Sequence, residues 1–372
     1  MKKGSLIVVG SGIKGVAHFT VEAQGWIREA DVVPYCVSDP VSEVWIKENS
    51  KHSIDLYQFY GNEKQRINTY NEMVDEILSH VRSGKDTCAV FYGHPGIFVH
   101  PSHKAISIAR SEGYKAAMLP GISALDCLCA DLGVDPSVTG MQTVEATDLL
   151  LRNRRLNTDQ NVVIWQIGCV GDLGFNFSGY DNRNLKILVE YLEKFYAKDH
   201  MVTHYQGSQY SICPPSIAKM PLSELKNAPV TGISTLYIPP QDKLKLNEEM
   251  VQRLGLRKTQ TVNTQKVAEP ARKTDQQKVQ PRKASYNQYV AAPDHSELAN
   301  FLAELSESPL LLAQFMRNPE ITSSLMADLS PSEKDALLSQ HPGKIRMAIK
   351  LSSWNKHLKG VSTLIKQREN NF

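Results

Sequence analysis

Across the first 256 residues, short apolar runs alternate with amphipathic stretches. Residues 5–10 (SLIVVG) are a β-branched apolar run that ends in glycine, and a helical pattern follows through Trp26 and Ile27. ADVVPYCV (30–37) reads as a second strand and CAVFYG (88–93) as another, with a helix after it through Ile106 and Ala109. AAMLPG (116–121) is a short strand followed by the helix SALDCLCADLG, and NVVIWQIG (161–168) repeats the pattern after a longer gap. LKILVEYLEKFYA (185–197) is then helical, and HMVTHYQG (200–207) and GISTLYIPP (232–240) supply late strands. Alternating strands and helices predict an α/β fold with a mostly parallel sheet, whose ligands sit beyond the carboxyl ends of the strands.

The pattern stops at residue 257. Residues 257–283 contain no Leu, Ile, Met, Phe, Tyr or Trp, and they carry eight Lys/Arg against two Asp/Glu. Such a stretch buries too little apolar surface to offset its ordering entropy, so residues 257–292 read as a basic flexible linker. The formal charge of +3 therefore divides into +6 here and −3 elsewhere. No aromatic residues interleave with the cations to stack on bases, so a solvated tether is expected and not a nucleic-acid partner.

Beyond the linker the period becomes helical again, and residues 293–350 are dense with caps. Asp294 and Glu297 open ELANFLAEL, Ser308-Pro309 opens LLLAQFMRN, Pro319 starts EITSSLMADL, Ser330-Pro331-Ser332-Glu333 forms a capping box, and Pro342-Gly343 precedes KIRMAIKL. This predicts a small all-α domain with no catalytic cluster of its own, serving either as a docking module or as a dimerisation bundle. Residues 351–372 form a tail with a short β-branched segment, Val361, Ser362, Thr363, Leu364 and Ile365, bounded by lysines.

Composition excludes several classes. No run approaches the roughly 18 apolar residues of a membrane span, and the amino terminus enters a glycine turn where a signal peptide would continue its apolar core, so a cytoplasmic protein without a membrane partner is expected. The six cysteines contain no C-x-x-C pair and read as reduced, buried thiols. His94, His100 and His103 lack a carboxylate or cysteine at ligand spacing, so no metal is expected. Ser123 lies outside a G-x-S-x-G elbow.

Three glycine-rich turns remain. Gly10-Ser11-Gly12-Ile13-Lys14-Gly15 fits the dinucleotide fingerprint, with Asp39 as the candidate ribose ligand, which keeps a nicotinamide-dependent oxidoreductase as an alternative. The denser turn Tyr92-Gly93-His94-Pro95-Gly96-Ile97-Phe98, together with Pro120-Gly121-Ile122-Ser123-Ala124, points instead to a cofactor cradled by backbone in the middle of the sheet.

The series VVGSGIKG, EADVVPYCV, YGHPGIF, LPGISALD and GISTLYIPP resembles the motif order of the tetrapyrrole methylase superfamily, the class III S-adenosylmethionine-dependent methyltransferases. QFYGNEKQRINTYNEM and VIWQIG most resemble the borosin peptide backbone α-N-methyltransferases within it. Over residues 1–256 the resemblance implies a two-lobed α/β fold, an intertwined homodimer, and S-adenosylmethionine (product S-adenosylhomocysteine) held between the lobes. It maps the cofactor pocket onto Gly93, His94, Pro95, Gly96, Ile97, Phe98, Ser123, Ala124, Gln166, Ser234 and Thr235. It maps the catalytic cluster onto Tyr57, Tyr60, Arg66, Tyr70 and Tyr92.

A peptide nitrogen is a poor nucleophile because its lone pair is delocalised into the planar amide. Its methylation requires proton removal or stabilisation of the imidate, and Arg66, at i and i+4 with Tyr70, is expected to lower a phenol's pKa. Residues 293–350 resemble the helical recognition domain of borosin precursors. In fused borosins the substrate is the carboxyl-terminal tail, threaded into a partner subunit's site, which makes residues 361–365 the candidate methylated segment and the linker a tether; a frayed terminal helix is the other reading of that tail. Methylation of a small tetrapyrrole remains a further alternative.

Overall fold

A computed structural model of the chain describes residues 4–256, 289–324 and 328–352. The first lobe contains β1 (Ser5–Gly10), α1 (Val21–Glu29), β2 (Val33–Cys36), α2 (Pro40–Asn49), β3 (Ser53–Asp55), α3 (Arg66–Arg82), β4 (Asp86–Phe91), α4 (His100–Ser111) and β5 (Lys115–Met118). Its strands form one sheet in the order β3-β2-β4-β1-β5, and every neighbouring pair is parallel. The central strands read as continuous apolar runs because both faces are covered: Leu6 and Val8 pack with α3 and α4, while Val9 packs with α1 and α2.

α5 (Ala124–Leu132) leads to the second lobe, where α6 (Pro136–Thr139), β6 (Met141–Glu145), α7 (Ala146–Leu151), β7 (Asn161–Trp165), α8 (Leu185–Leu192), β8 (Met201–Gln206), β9 (Ser216–Pro221), β10 (Thr235–Ile238) and α9 (Glu248–Arg253) follow. This sheet has the order β6-β7-β10-β8-β9, and only β6 and β7 run parallel. The expectation of a mostly parallel sheet therefore holds in the first lobe and fails in the second. β8, β9 and β10 succeed one another without the long helical crossover that a parallel return needs.

The carboxyl-terminal helices α10 (Glu297–Glu307), α11 (Pro309–Arg317), α12 (Pro319–Ser324) and α13 (Pro331–Leu338), with a further helical stretch over 342–352, do not form a separate core. Leu298, Phe301, Leu302 and Leu305 of α10 share one buried cluster with Val41, Val44, Trp45 and Ile46 of α2. At about 1.5–3 kcal/mol per buried large apolar side chain, such a shared core favours docking strongly. Ser308 and Ser330 cap their helices as the sequence predicts. α10 is capped by Ser296 rather than Asp294, because the Ser296 hydroxyl accepts the Ala299 N–H (3.3 Å) while Asp294 turns outward to Lys47 (3.4 Å).

Most of the linker (257–288) and of the tail (353–372), with Val361–Ile365 inside it, lies outside the described residues. At the linker's end, the Ala292 N–H donates to Glu43 Oε1 (2.7 Å) and the Ala292 carbonyl accepts from Lys47 Nζ (2.7 Å). No helix among the described residues is long and apolar enough to cross a membrane.

Candidate active site

β1, β4 and β5 lie side by side, so the three glycine turns that follow them meet at one edge of the sheet. Gly12 and Gly93 exchange backbone hydrogen bonds (3.2 and 3.0 Å). A Cβ on Gly10 would stand 2.1 Å from the Gly93 carbonyl oxygen, and one on Gly121 would stand 3.2 Å from the same atom. The first turn is thus filled by the protein's own backbone where a dinucleotide pyrophosphate would have to approach. Asp39, the expected ribose ligand, is buried and accepts the Ser42 N–H (2.8 Å) as the cap of α2. Both observations remove the basis for a nicotinamide site.

The YGHPGIF turn is held from below. His94 Nδ1 accepts the Gly96 N–H (2.9 Å), His103 Nε2–H donates to the Gly96 carbonyl (2.9 Å), and the Ser102 hydroxyl donates to the Pro95 carbonyl. Met118 Sδ and the His94 ring occupy the space beside Gly96. Phe98 adopts φ 57°, a left-handed conformation rare for an aromatic residue, and is 54% exposed with Ile97 beside it. Ser123 is committed to its helix: its hydroxyl accepts from Leu125 and Asp126 N–H and donates to Asp126 Oδ2 (2.7 Å).

The second-lobe members close the other side. Phe98 meets Trp165 at 5.9 Å between ring centroids, and Ala124 packs on the cluster that contains Trp165. The next residue, Gln166, also lies in the left-handed region (φ 59°). A Cβ on Gly168 would stand 1.9 Å from the Thr231 carbonyl, which brings this turn against the loop leading to Ser234 and Thr235. The Ser234 hydroxyl accepts from the Thr231 N–H (2.8 Å) and Gln206 Nε2 (2.9 Å), which leaves its one hydrogen for His204 Nε2 (2.7 Å). His204 is therefore neutral, and burial lowers its pKa to about 4. Each lobe thus contributes one left-handed non-glycine residue, Phe98 and Gln166, and Trp165, the neighbour of Gln166, meets the Phe98 ring. The Trp165 Nε1–H is buried with no hydrogen-bond partner among the described residues. Left-handed non-glycine residues and buried donors without a partner concentrate at ligand and catalytic sites.

Four of the five predicted catalytic residues come together. Tyr57, on a 3-10 turn over Leu56–Phe59 capped by Asp55, lies 4.9 Å from the Tyr60 ring. Arg66 opens α3, lies 5.9 Å from the Tyr180 ring and donates to the Asp172 carbonyl; Tyr70 sits one turn on and hydrogen-bonds Tyr60. Tyr92 stands apart: its N–H donates to the Cys36 carbonyl (3.0 Å), and its phenol lies near Asp39 and Arg346.

Sequence reasoning missed Phe175, Phe177 and Tyr180. Their loop bonds to the 63–66 segment through Glu63 N to Phe175 O, Phe175 N to Lys64 O and Arg66 N to Leu173 O, and the Phe175 ring lies 4.3 Å from Tyr60. The aromatic density of GFNFSGY, between two strands, was the available signal.

One electrostatic expectation is reversed. Burial raises the pKa of Tyr57, Tyr60, Tyr70 and Tyr92, and at Tyr70 it outweighs the opposing pull of Arg66. The same burial pushes Tyr180 up to about 12. In this state the cluster is a set of O–H donors beside a fixed cation, suited to stabilising a developing oxyanion rather than serving as phenolate bases.

A family model for Tetrapyrrole (Corrin/Porphyrin) Methylases matches residues 5–206, and the chain belongs to that family; it is a methyltransferase. Its curated relatives narrow the assignment. The methyltransferase/ribosomally synthesized cyclic peptide omphalotin A precursor of Omphalotus olearius is 38% identical over 369 residues, which is 94% of this chain and 88% of the relative. The type I borosin cyclic peptide precursor of Coprinopsis marcescibilis, also a methyltransferase fusion, is 38% identical over 365 residues, covering 94% and 93%. The lentinulin A precursor of Lentinula edodes is 44% identical over 257 residues, 68% of this chain and 62% of the relative. The chain is a member of the borosin methyltransferase and precursor group, and neither the oxidoreductase nor the small-tetrapyrrole alternative is favoured.

Proposed function

We propose that this chain is an S-adenosylmethionine-dependent methyltransferase that α-N-methylates backbone amides of a peptide on its own carboxyl terminus, acting as an intertwined cytoplasmic homodimer. The observation that carries the reading is the buried Tyr57/Tyr60/Arg66/Tyr70 cluster next to a docked helical module, in a member of a family whose relatives are methyltransferases fused to peptide precursors. Residues 1–256 are the methyltransferase, 257–292 the tether, 293–350 the docking module and 351–372 the tail that presents Val361–Ile365. A tether of this kind raises the local concentration of substrate without requiring a tight contact at each residue.

The cradle fits the cofactor. Ile97, Phe98 and Ala124 offer apolar surface for an adenine ring, Trp165 Nε1–H is an uncommitted donor, and the 93–98 and 166–169 turns offer backbone. When bound, S-adenosylmethionine supplies an electrophilic methyl on a sulfonium. The chain's own contribution is electrostatic and positional: the phenol O–H groups and the Arg66 guanidinium favour negative charge on the peptide oxygen, which acidifies the amide N–H, and loss of that proton, carried out to solvent, leaves an imidate whose nitrogen lone pair can take the methyl. The aromatic walls from Phe175 and Tyr180 exclude water.

Intact-mass spectrometry of the purified full chain with S-adenosylmethionine tests the proposal. Mass should rise in steps of one methylene, and tandem fragmentation should place the methyls on backbone nitrogens of the tail. Methyls confined to lysine side chains, or no gain at all, would sink it.

A further inference from the structure

The described end of the linker, next to the carboxyl-terminal module, brings one aromatic side chain into the phenol cluster. Tyr289 stacks on Tyr57 (ring centroids 5.3 Å, interplanar 28°) and approaches Phe177 (6.3 Å). Its own position is set by docking. Lys350 Nζ lies 5.5 Å from the Tyr289 ring centroid and donates to the neighbouring Val290 carbonyl (2.6 Å). Lys350 also faces Glu43 Oε2 (3.9 Å), while Glu43 Oε1 accepts the Ala292 N–H (2.7 Å). Glu43 is 5% exposed, so this carboxylate is an anchor with one oxygen engaged by the linker's end and the other by the module. Tyr57 sits on a four-residue 3-10 turn, with Tyr60 (4.9 Å) and Phe175 (5.9 Å) on its other sides, so Tyr289 completes the set of rings around it.

We propose that Tyr289 is a positioning residue for methyl transfer: seated by Lys350 and Glu43, its ring braces Tyr57, so the site is complete only when the module is docked. This rests on the reading of Tyr57 as part of the reacting cluster. The ring carries the effect, since the Tyr289 hydroxyl is buried with no hydrogen-bond partner among the described residues. A site finished by the module that delivers the peptide would not act on peptides that arrive without it.

Full-length Tyr289→Ala and Tyr289→Phe test this against wild type in a single-turnover mass assay, with KM for S-adenosylmethionine and hydrogen exchange of α2 and α10 measured alongside. Tyr289→Ala should slow methylation at saturating cofactor about tenfold or more, with unchanged KM and unchanged exchange protection in both helices. Tyr289→Phe should restore what Tyr289→Ala loses. A wild-type rate in Tyr289→Ala, a rate loss in Tyr289→Phe equal to that of Tyr289→Ala, or loss of protection in α2 and α10 with the rate would each overturn it, the last by reducing Tyr289 to an anchor. A wild-type chain that gains no methyls would overturn the proposed function itself, and this inference with it.

Discussion

Arg66 reaches three groups from the first turn of α3: its guanidinium donates to the Asp172 carbonyl, lies 5.9 Å from the Tyr180 ring and faces Tyr70 one turn away. It therefore ties the lobes together and supplies the cluster's fixed positive charge. Tyr70 adds an O–H donor at the same place, and burial keeps that proton on the oxygen. Arg66→Ala and Tyr70→Phe should each lower the methylation rate roughly 100-fold or more, the range seen when one oxyanion donor is removed. Cofactor affinity by calorimetry should stay near wild type, since neither residue lies among the turns of the cradle. A variant that methylates at the wild-type rate would show that its residue has no electrostatic part in the reaction. Arg66→Lys should recover little, because an ammonium keeps the charge but not the fork that spans Asp172 and Tyr180.

At the scale of elements, the cradle depends on three turns pressed together, and two glycines separate that requirement from glycine's ordinary cost. Gly10→Ala places a methyl 2.1 Å from the Gly93 carbonyl, backbone against backbone, so the 92–98 turn must move. We expect a loss of about 2–4 kcal/mol in urea melts, together with weakened cofactor binding. Gly25, inside α1, has open space where a Cβ would stand among the described residues, so Gly25→Ala should instead stabilise by roughly 0.5–1 kcal/mol. If both substitutions behave alike, the turns are not in the contact described. Which elements the sequence exposed follows from where they lie. β1, β4 and β7 are apolar runs because they are covered on both faces, whereas β3 (SID), β6 (MQTVE) and β9 (SIAKMP) are sheet edges, short or polar, and leave no such run. The Tyr57–Tyr70 cluster was legible because it lies within one motif. Phe175, Tyr180 and Tyr289 were not, because the fold brings them from separate segments. Burial as the force that decides the phenols' protonation is likewise invisible until packing is known.

Over the whole molecule, acid stability depends on buried groups that pull in opposite directions. His204 and His18 both have pKa values lowered from 6.5 to about 4, chiefly by burial, and are neutral when folded. The unfolded chain takes up those protons below 6.5, so their contribution is fully present above 6.5 and is lost as pH falls toward 4. Asp55 has the reverse sign. Burial raises its pKa to about 7, so the folded chain holds a proton that the unfolded chain releases near 4, and this contribution fades as pH climbs from 4 to 7. Asp55 therefore offsets part of the histidines' loss between pH 4 and 7 in the absolute stability curve, and only a difference curve isolates one group. His204→Asn removes a titrating group that is 3% exposed, and its cost relative to wild type should shrink by about 3 kcal/mol between pH 7 and pH 4. Chemical denaturation of both proteins at half-unit pH steps measures it. A difference that stays constant with pH would mean that His204 titrates alike folded and unfolded. The Ser234 hydroxyl would then not donate to a neutral imidazole, and the network beneath the second lobe's side of the cradle would need a different assignment of protons.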